Sequence, residues 1–251
     1  MSSEVGVVAA LCALLAVFCP EADAITGGSP VPIESFPYQV AIDQFRNQSC
    51  GGALIGKKTV ITTASCFHRR EIDVSDVTVR LGSATRTGGL SLGVDDFLQH
   101  PDVDAVLLYL DQRVTPRKEI KFVPVPTVPT AIRQGELVTI SGYGDVSDEL
   151  RAAALLAMDV EVCKDVYFFS VNTRACAGGW TAGMCGLRDV GSPLVNWLGE
   201  LVGLAVQSHG CGQPGFPTVF ADLTGADVLT WIEDNMDMKT DATRAQRLWS
   251  A

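Results

Sequence analysis

Residues 50–66 read Cys-Gly-Gly-Ala-Leu-Ile-Gly-Lys-Lys-Thr-Val-Ile-Thr-Thr-Ala-Ser-Cys. The β-branched run Thr59 to Thr63 is set off by Gly56 and by the Gly51-Gly52 pair, the signature of a short strand between turns. The same grammar recurs outward in both directions, at Tyr38 to Ile42, Val77 to Leu81, Val138 to Ser141 and Val202 to Gln207. Many short strands separated by turn signals predict an all-β barrel or sandwich. Pro124, Pro126 and Pro129 lie midway and mark a connector between two halves.

Two stretches break the pattern. Over Ala152 to Val160, Ala and Leu favour helix, whereas the following Asp159-Val160-Glu161-Val162 alternates like a strand, and that second part is read as strand. Val228 to Met236 has helical spacing through Leu229, Trp231 and Ile232, ahead of a polar tail at 237–251.

The chain opens on an apolar run from Val5 to Phe18, then Pro20 and Ala22-Asp23-Ala24, an A-x-A site of the kind signal peptidase cuts. Residues 1–24 are therefore expected to be a signal peptide, with Ile25 as the new N-terminus of a secreted, extracellular protein. No later run is long enough to cross a bilayer. The 251 residues carry a formal charge of −10. Loss of the leader removes Glu4, Glu21 and Asp23 but no Lys or Arg, so the protein stays acidic, which disfavours nucleic acid and anionic membranes as partners.

Cys12 and Cys19 leave with the leader, and Cys50, Cys66, Cys163, Cys176, Cys185 and Cys211 remain. An even set in a secreted chain implies disulfides, with all fifteen connectivities open at this level. No C-x-x-C or clustered Cys/His spacing suggests a metal. Asn47-Gln48-Ser49 is an N-glycosylation sequon.

A series of strings then appears in order: ITGG at 25–28, FPYQV at 36–40, CGGALI at 50–55, VITTASC at 60–66, VRLGS at 79–83, HP at 100–101 and DAVLL at 104–108. It continues with SGYG at 141–144, CAG at 176–178, RDVGSPLV at 188–195, FPTVFADL at 216–223 and WI at 231–232. Together they resemble the chymotrypsin/trypsin-like serine peptidases (S1) across essentially the whole of residues 25–236. The resemblance implies two antiparallel six-stranded β-barrels, 25–122 and 123–236, the second ending in a helix. It also implies the pairings Cys50 with Cys66, Cys163 with Cys176, and Cys185 with Cys211.

In that family a serine attacks the scissile carbonyl, a histidine takes its proton and an aspartate orients the histidine. Carried over by position, the histidine site holds Ser65, whose hydroxyl cannot act as a general base near neutral pH. The nucleophile site holds Val190, which has no lone pair to attack with. Asp104 matches the triad aspartate but is left with Ser65 and Val206 where its two partners should be, so it is expected to be short of hydrogen bonds. His68, two residues past Cys66, is not expected to stand in for the histidine, and His100 and His209 read as structural.

The wider cleft is altered too. Arg188 takes the place of the oxyanion-hole glycine beside Val190, and three residues separate Cys185 from Asp189 where the family has two, which should displace the donors. Val206-Gln207-Ser208 replaces the substrate-binding edge strand, and Gly183 sits at the base of the primary pocket, offering no carboxylate to a basic side chain. Ser83 takes the acidic position of a calcium loop, so no metal and no cofactor are expected. Ile25 and Asp189 are retained, and the resemblance implies that the freed N-terminal amine pairs with this aspartate.

These residues predict a secreted, catalytically inactive serine protease homologue. It would act by binding an extracellular protein, as a decoy, cofactor or inhibitor, and is expected to be monomeric. The alternative is an active or weakly active trypsin-like endopeptidase.

Overall fold

The computed structural model describes residues 25–44, 48–67, 73–145, 147–167, 173–178, 182–209 and 211–236. Residues 1–24, expected to be a signal peptide, Asn47 of the sequon, His68 and the 237–251 tail lie outside the described residues. No described helix is long and apolar enough to cross a membrane.

Six strands close the first barrel: β2 (Gln39–Gln44), β3 (Gln48–Leu54), β4 (Thr59–Thr62), β5 (Thr78–Leu81), β6 (Leu90–Gln99) and β7 (Val106–Leu110). Their order round the barrel is β2-β3-β4-β7-β6-β5, with β5 returning to β2 through Val40↔Leu81. β7 is buried at all five positions. The period-two alternation of a strand explains this. Val106, Leu108 and Leu110 join Val40, Ile42, Leu54 and Val60 inside the barrel. Leu107 and Tyr109 face a second cluster with Ala53, Ile61, Leu201, Leu204 and Ile232. An unbroken apolar run is thus a strand wanted on both faces.

The second barrel uses β8 (Leu137–Gly142), β9 (Arg151–Met158), β10 (Arg174–Gly178), β11 (Pro193–Val195), β12 (Leu201–Gln207) and β13 (Thr218–Asp222). Its order is β9-β10-β13-β12-β11-β8, closed by β8 pairing back to β9, and the short β1 (Ser29–Pro30) adds to β9 from outside. Among the described residues two α-helices complete the fold: α1 (Val160–Tyr167) and the C-terminal α2 (Ala226–Asn235). Between the barrels the proline-rich connector is tied to both, since Val123 N–H donates to Leu54 O and Leu201 N–H donates to Pro124 O.

One sequence expectation is reversed. Arg151–Met158 is the strand, and Val160–Tyr167 is helix, including the Val160-Glu161-Val162 expected to be strand. The alanine-rich segment has β8, β10 and β1 to pair with, and it buries Ala153, Leu155 and Ala157 while Ala154 and Leu156 face solvent. Tertiary pairing overrides the helix propensity of Ala and Leu. The helix begins where Asp159 Oδ1 accepts the Glu161 N–H, and Cys163, its one buried residue, is anchored to Cys176 on β10.

Candidate cleft between the barrels

The three disulfides join Cys50 to Cys66, Cys163 to Cys176 and Cys185 to Cys211. Two of them frame the candidate site. Cys50–Cys66 fixes the single 3-10 turn Ala64–Phe67 that carries Ser65, and Cys185–Cys211 holds the loop leading to the turn Leu187–Asp189.

The two loops meet across the barrels. Gly51 N–H donates to Val190 O at 2.8 Å, and Thr62 Oγ1 donates to Gly51 O at 2.8 Å. Ser65 meets Asp104 through its backbone: the Ser65 N–H donates to Asp104 Oδ1 at 2.9 Å. Its Oγ is buried and has no hydrogen-bond partner among the described residues. The expected shortage of partners at Asp104 is corrected by a residue the sequence reading did not single out. Arg174 reaches from β10 and places Nη1 3.4 Å from Asp104 Oδ2, so a cation from the second barrel fills part of the space over the carboxylate. Val206, placed by the resemblance beside Asp104, packs against the cluster between the barrels.

Val190 is buried in the main core, with only 8% of its surface exposed. Its N–H donates to Leu187 O at 3.2 Å, closing the 3-10 turn, and the Arg188 N–H donates to Asp145 Oδ1 at 3.0 Å. Both amides at the oxyanion-loop positions are therefore engaged within the loop region. An oxyanion needs donors aimed at it from 2.7–3.1 Å and free to receive it.

At the primary pocket, Gly183 N–H donates to Thr26 O at 3.1 Å. Thr218 comes from β13 to bond Met184 N–H through Oγ1 at 3.1 Å, and a Cβ added at Gly183 would lie 2.8 Å from that oxygen. Thr218 thus packs against Gly183, the residue that the resemblance sets at the base of the primary pocket. Gln207 stays in register with Val219 on β13, and Ser208 Oγ is buried without a partner among the described residues.

Behind the cleft, Asp189 is fully buried and accepts from Cys185 N–H at 3.0 Å, Gly144 N–H at 3.0 Å and Ile25 N–H at 3.4 Å. Burial pushes its carboxyl up to about 7; the three backbone donors oppose this, and the nearby Asp145 charge adds to it. Ile25 is itself 0% exposed. Its φ is +35°, a region that a β-branched residue rarely adopts within a chain. The two described histidines take no part: His100 is buried, accepts from Asp102 and Val103 N–H through Nδ1 and lies edge-on to Trp231, whereas His209 is exposed and rests on Tyr167. Among the described residues no cluster of His, Cys, Asp or Glu could hold a metal ion.

Arg174, Asp145 and Thr218 are the site residues that sequence reasoning missed. The available signal was an arginine two positions before Cys176 inside an otherwise small, apolar strand.

Comparison with known proteins gives concordant matches. The family model described as Trypsin matches residues 25–232, starting at the buried Ile25. Trypsin 5G1 of Aedes aegypti is 31% identical, covering 84% of this chain and 84% of its own length. Trypsin epsilon of Drosophila erecta is 30% identical, covering 83% of this chain and 86% of its own. Hypodermin-B of Hypoderma lineatum is also 30% identical, over 84% of this chain and 87% of its own.

Proposed function

Because the chain belongs to the trypsin family of serine proteases, we propose that its processed form is a secreted, non-catalytic member that acts by binding an extracellular protein. The observation that carries this reading is the arrangement round Asp104. A backbone amide of Ser65 and the guanidinium of Arg174 meet the carboxylate, and among the described residues no imidazole stands there to take a proton from a nucleophile. Val190, at the matching nucleophile position, is buried methyl surface. In the subtilisin series the loss of either the serine or the histidine costs on the order of 10⁶ in turnover, about as much as loss of the whole triad.

Four observations support release of residues 1–24. The Ala22-Asp23-Ala24 site ends where the family match begins, and Ile25 is already seated against Asp189. Cutting the bond before Ile25 would also remove the peptide carbonyl that makes a positive φ costly there. The new ammonium would face a carboxylate whose burial otherwise disfavours its charge.

The reading is tested by incubating the purified processed protein with a peptide library and analysing the digest by mass spectrometry. No new termini are expected above those of a heat-inactivated control. Sequence-consistent cleavage that tracks the purified protein would overturn it.

A further inference from the structure

The segment after β8 hands one side chain to the turn that precedes Val190. Asp145 accepts the Leu187 N–H on Oδ2 and the Arg188 N–H on Oδ1, each at 3.0 Å. The Arg188 guanidinium closes the clasp by donating from Nη1 to the Asp145 carbonyl at 3.1 Å. Residue 186 is shaped for this contact: Gly186 has φ +102°, and a Cβ there would overlap Asp145 Oδ2. Carboxylate, glycine and the extra residue of the turn form one matched unit.

We propose that Asp145 is a positioning residue that latches the 186–188 turn away from the cleft and withholds its amides from any ligand oxyanion. The inference rests on the reading of Arg188 and Val190 as the oxyanion-loop positions. Hydrogen bonds from N–H to a charged carboxylate are roughly twice as strong as neutral ones, and here one carboxylate holds two consecutive amides. An amide held this way cannot also receive developing charge, and the carboxylate adds a negative potential where negative charge would have to form. The charge of Asp145 is felt nearby, since it contributes to the upward shift at Asp189. Val190 N–H is separately used within the turn, so release of Asp145 frees the Arg188 donor and lets the turn open.

The test uses the processed chain carrying Ser65→His and Val190→Ser, compared with the same chain also carrying Asp145→Ala or Asp145→Asn. The asparagine variant keeps the shape and removes the charge, which covers the case in which the alanine variant folds poorly. The first readout is hydrogen exchange of the Leu187 and Arg188 amides. The second is the rate of labelling by a fluorophosphonate, whose reaction at a serine develops charge on a phosphoryl oxygen. The latch predicts exchange at these two amides faster by at least ~10-fold in the Asp145 variants, with β8 and β12 unchanged. It also predicts labelling faster by at least ~10-fold, below the 10²–10³ of a complete oxyanion donor. Unchanged exchange overturns the proposal, as does faster exchange without faster labelling. Labelling of the unsubstituted chain would instead contradict the non-catalytic reading and leave the latch standing.

Discussion

Asp104 and Arg174 form an ion pair across the two barrels, Oδ2 to Nη1 at 3.4 Å, with side chains only 12% and 24% exposed. Asp104 precedes β7 of the first barrel and Arg174 lies on β10 of the second, so the pair ties the barrels beside Ser65. Removing one partner leaves a largely buried charge with less compensation. Arg174→Met should lower stability by about 1–2 kcal/mol, a fall of a few degrees in Tm. The double variant Asp104→Asn/Arg174→Met should recover part of that loss. Additive single effects would show that the pair carries no coupling.

Asp189 gives a pH signature that depends on processing. With the Ala24–Ile25 bond intact, its folded pKa of about 7 lies above the ordinary value of 3.8. The unfolded chain then releases its proton first, so stability is full below about pH 4 and is lost as the pH rises to about 7. Three units correspond to a loss on the order of 4 kcal/mol. In the processed chain the Ile25 ammonium favours the carboxylate and should remove most of this loss. Urea midpoints at pH 4.5 and 7.5 should therefore fall for a chain retaining Ala24 and change much less for one beginning at Ile25. Parallel behaviour of the two would contradict the pairing.

The reassigned strand β9 makes a sharp local prediction. Leu155 is 1% exposed and its neighbour Leu156 is 51% exposed. Leu155→Ala should cost about 2–5 kcal/mol and Leu156→Ala within about 0.5 kcal/mol, measured by urea unfolding. Equal costs would mean the segment does not present alternate faces.

That strand also shows where sequence reading stops. The β-branched runs at Thr59 and Val77 declare themselves locally, because their side chains suit a pleated surface in most contexts. Ala152 to Met158 does not, since its strand character comes from β1, β8 and β10, which are distant in sequence. The cleft divides in the same way. Ser65, Val190 and Arg188 were legible from their places in ordered strings. Arg174, Asp145 and Thr218 reach the cleft only through barrel closure, and no local pattern marks an aspartate after Gly144 as the partner of Arg188. At Asp104 the local sequence shows only the missing partner, because the incoming guanidinium lies 70 residues away.

Thr218 lies against the residue that the resemblance sets at the base of the primary pocket. Its Oγ1 would lie 2.8 Å from a Cβ at Gly183, so a new side chain there must displace the Thr218 hydroxyl. Benzamidine, an aryl cation that needs a carboxylate at the pocket floor, should show no binding at millimolar concentration by calorimetry. Gly183→Asp alone should not create it, and Gly183→Asp/Thr218→Gly should bind better than either single variant. Binding by the unsubstituted protein would show an open pocket with an anion that the structure does not place there.

The central claim is the absence of an activated nucleophile, and its most direct test is stoichiometric labelling of the pure processed protein with a fluorophosphonate. The account predicts no covalent adduct by intact mass after prolonged incubation at pH 8, identical with and without prior denaturation. A single adduct on a serine of the native protein, abolished by unfolding, would contradict it.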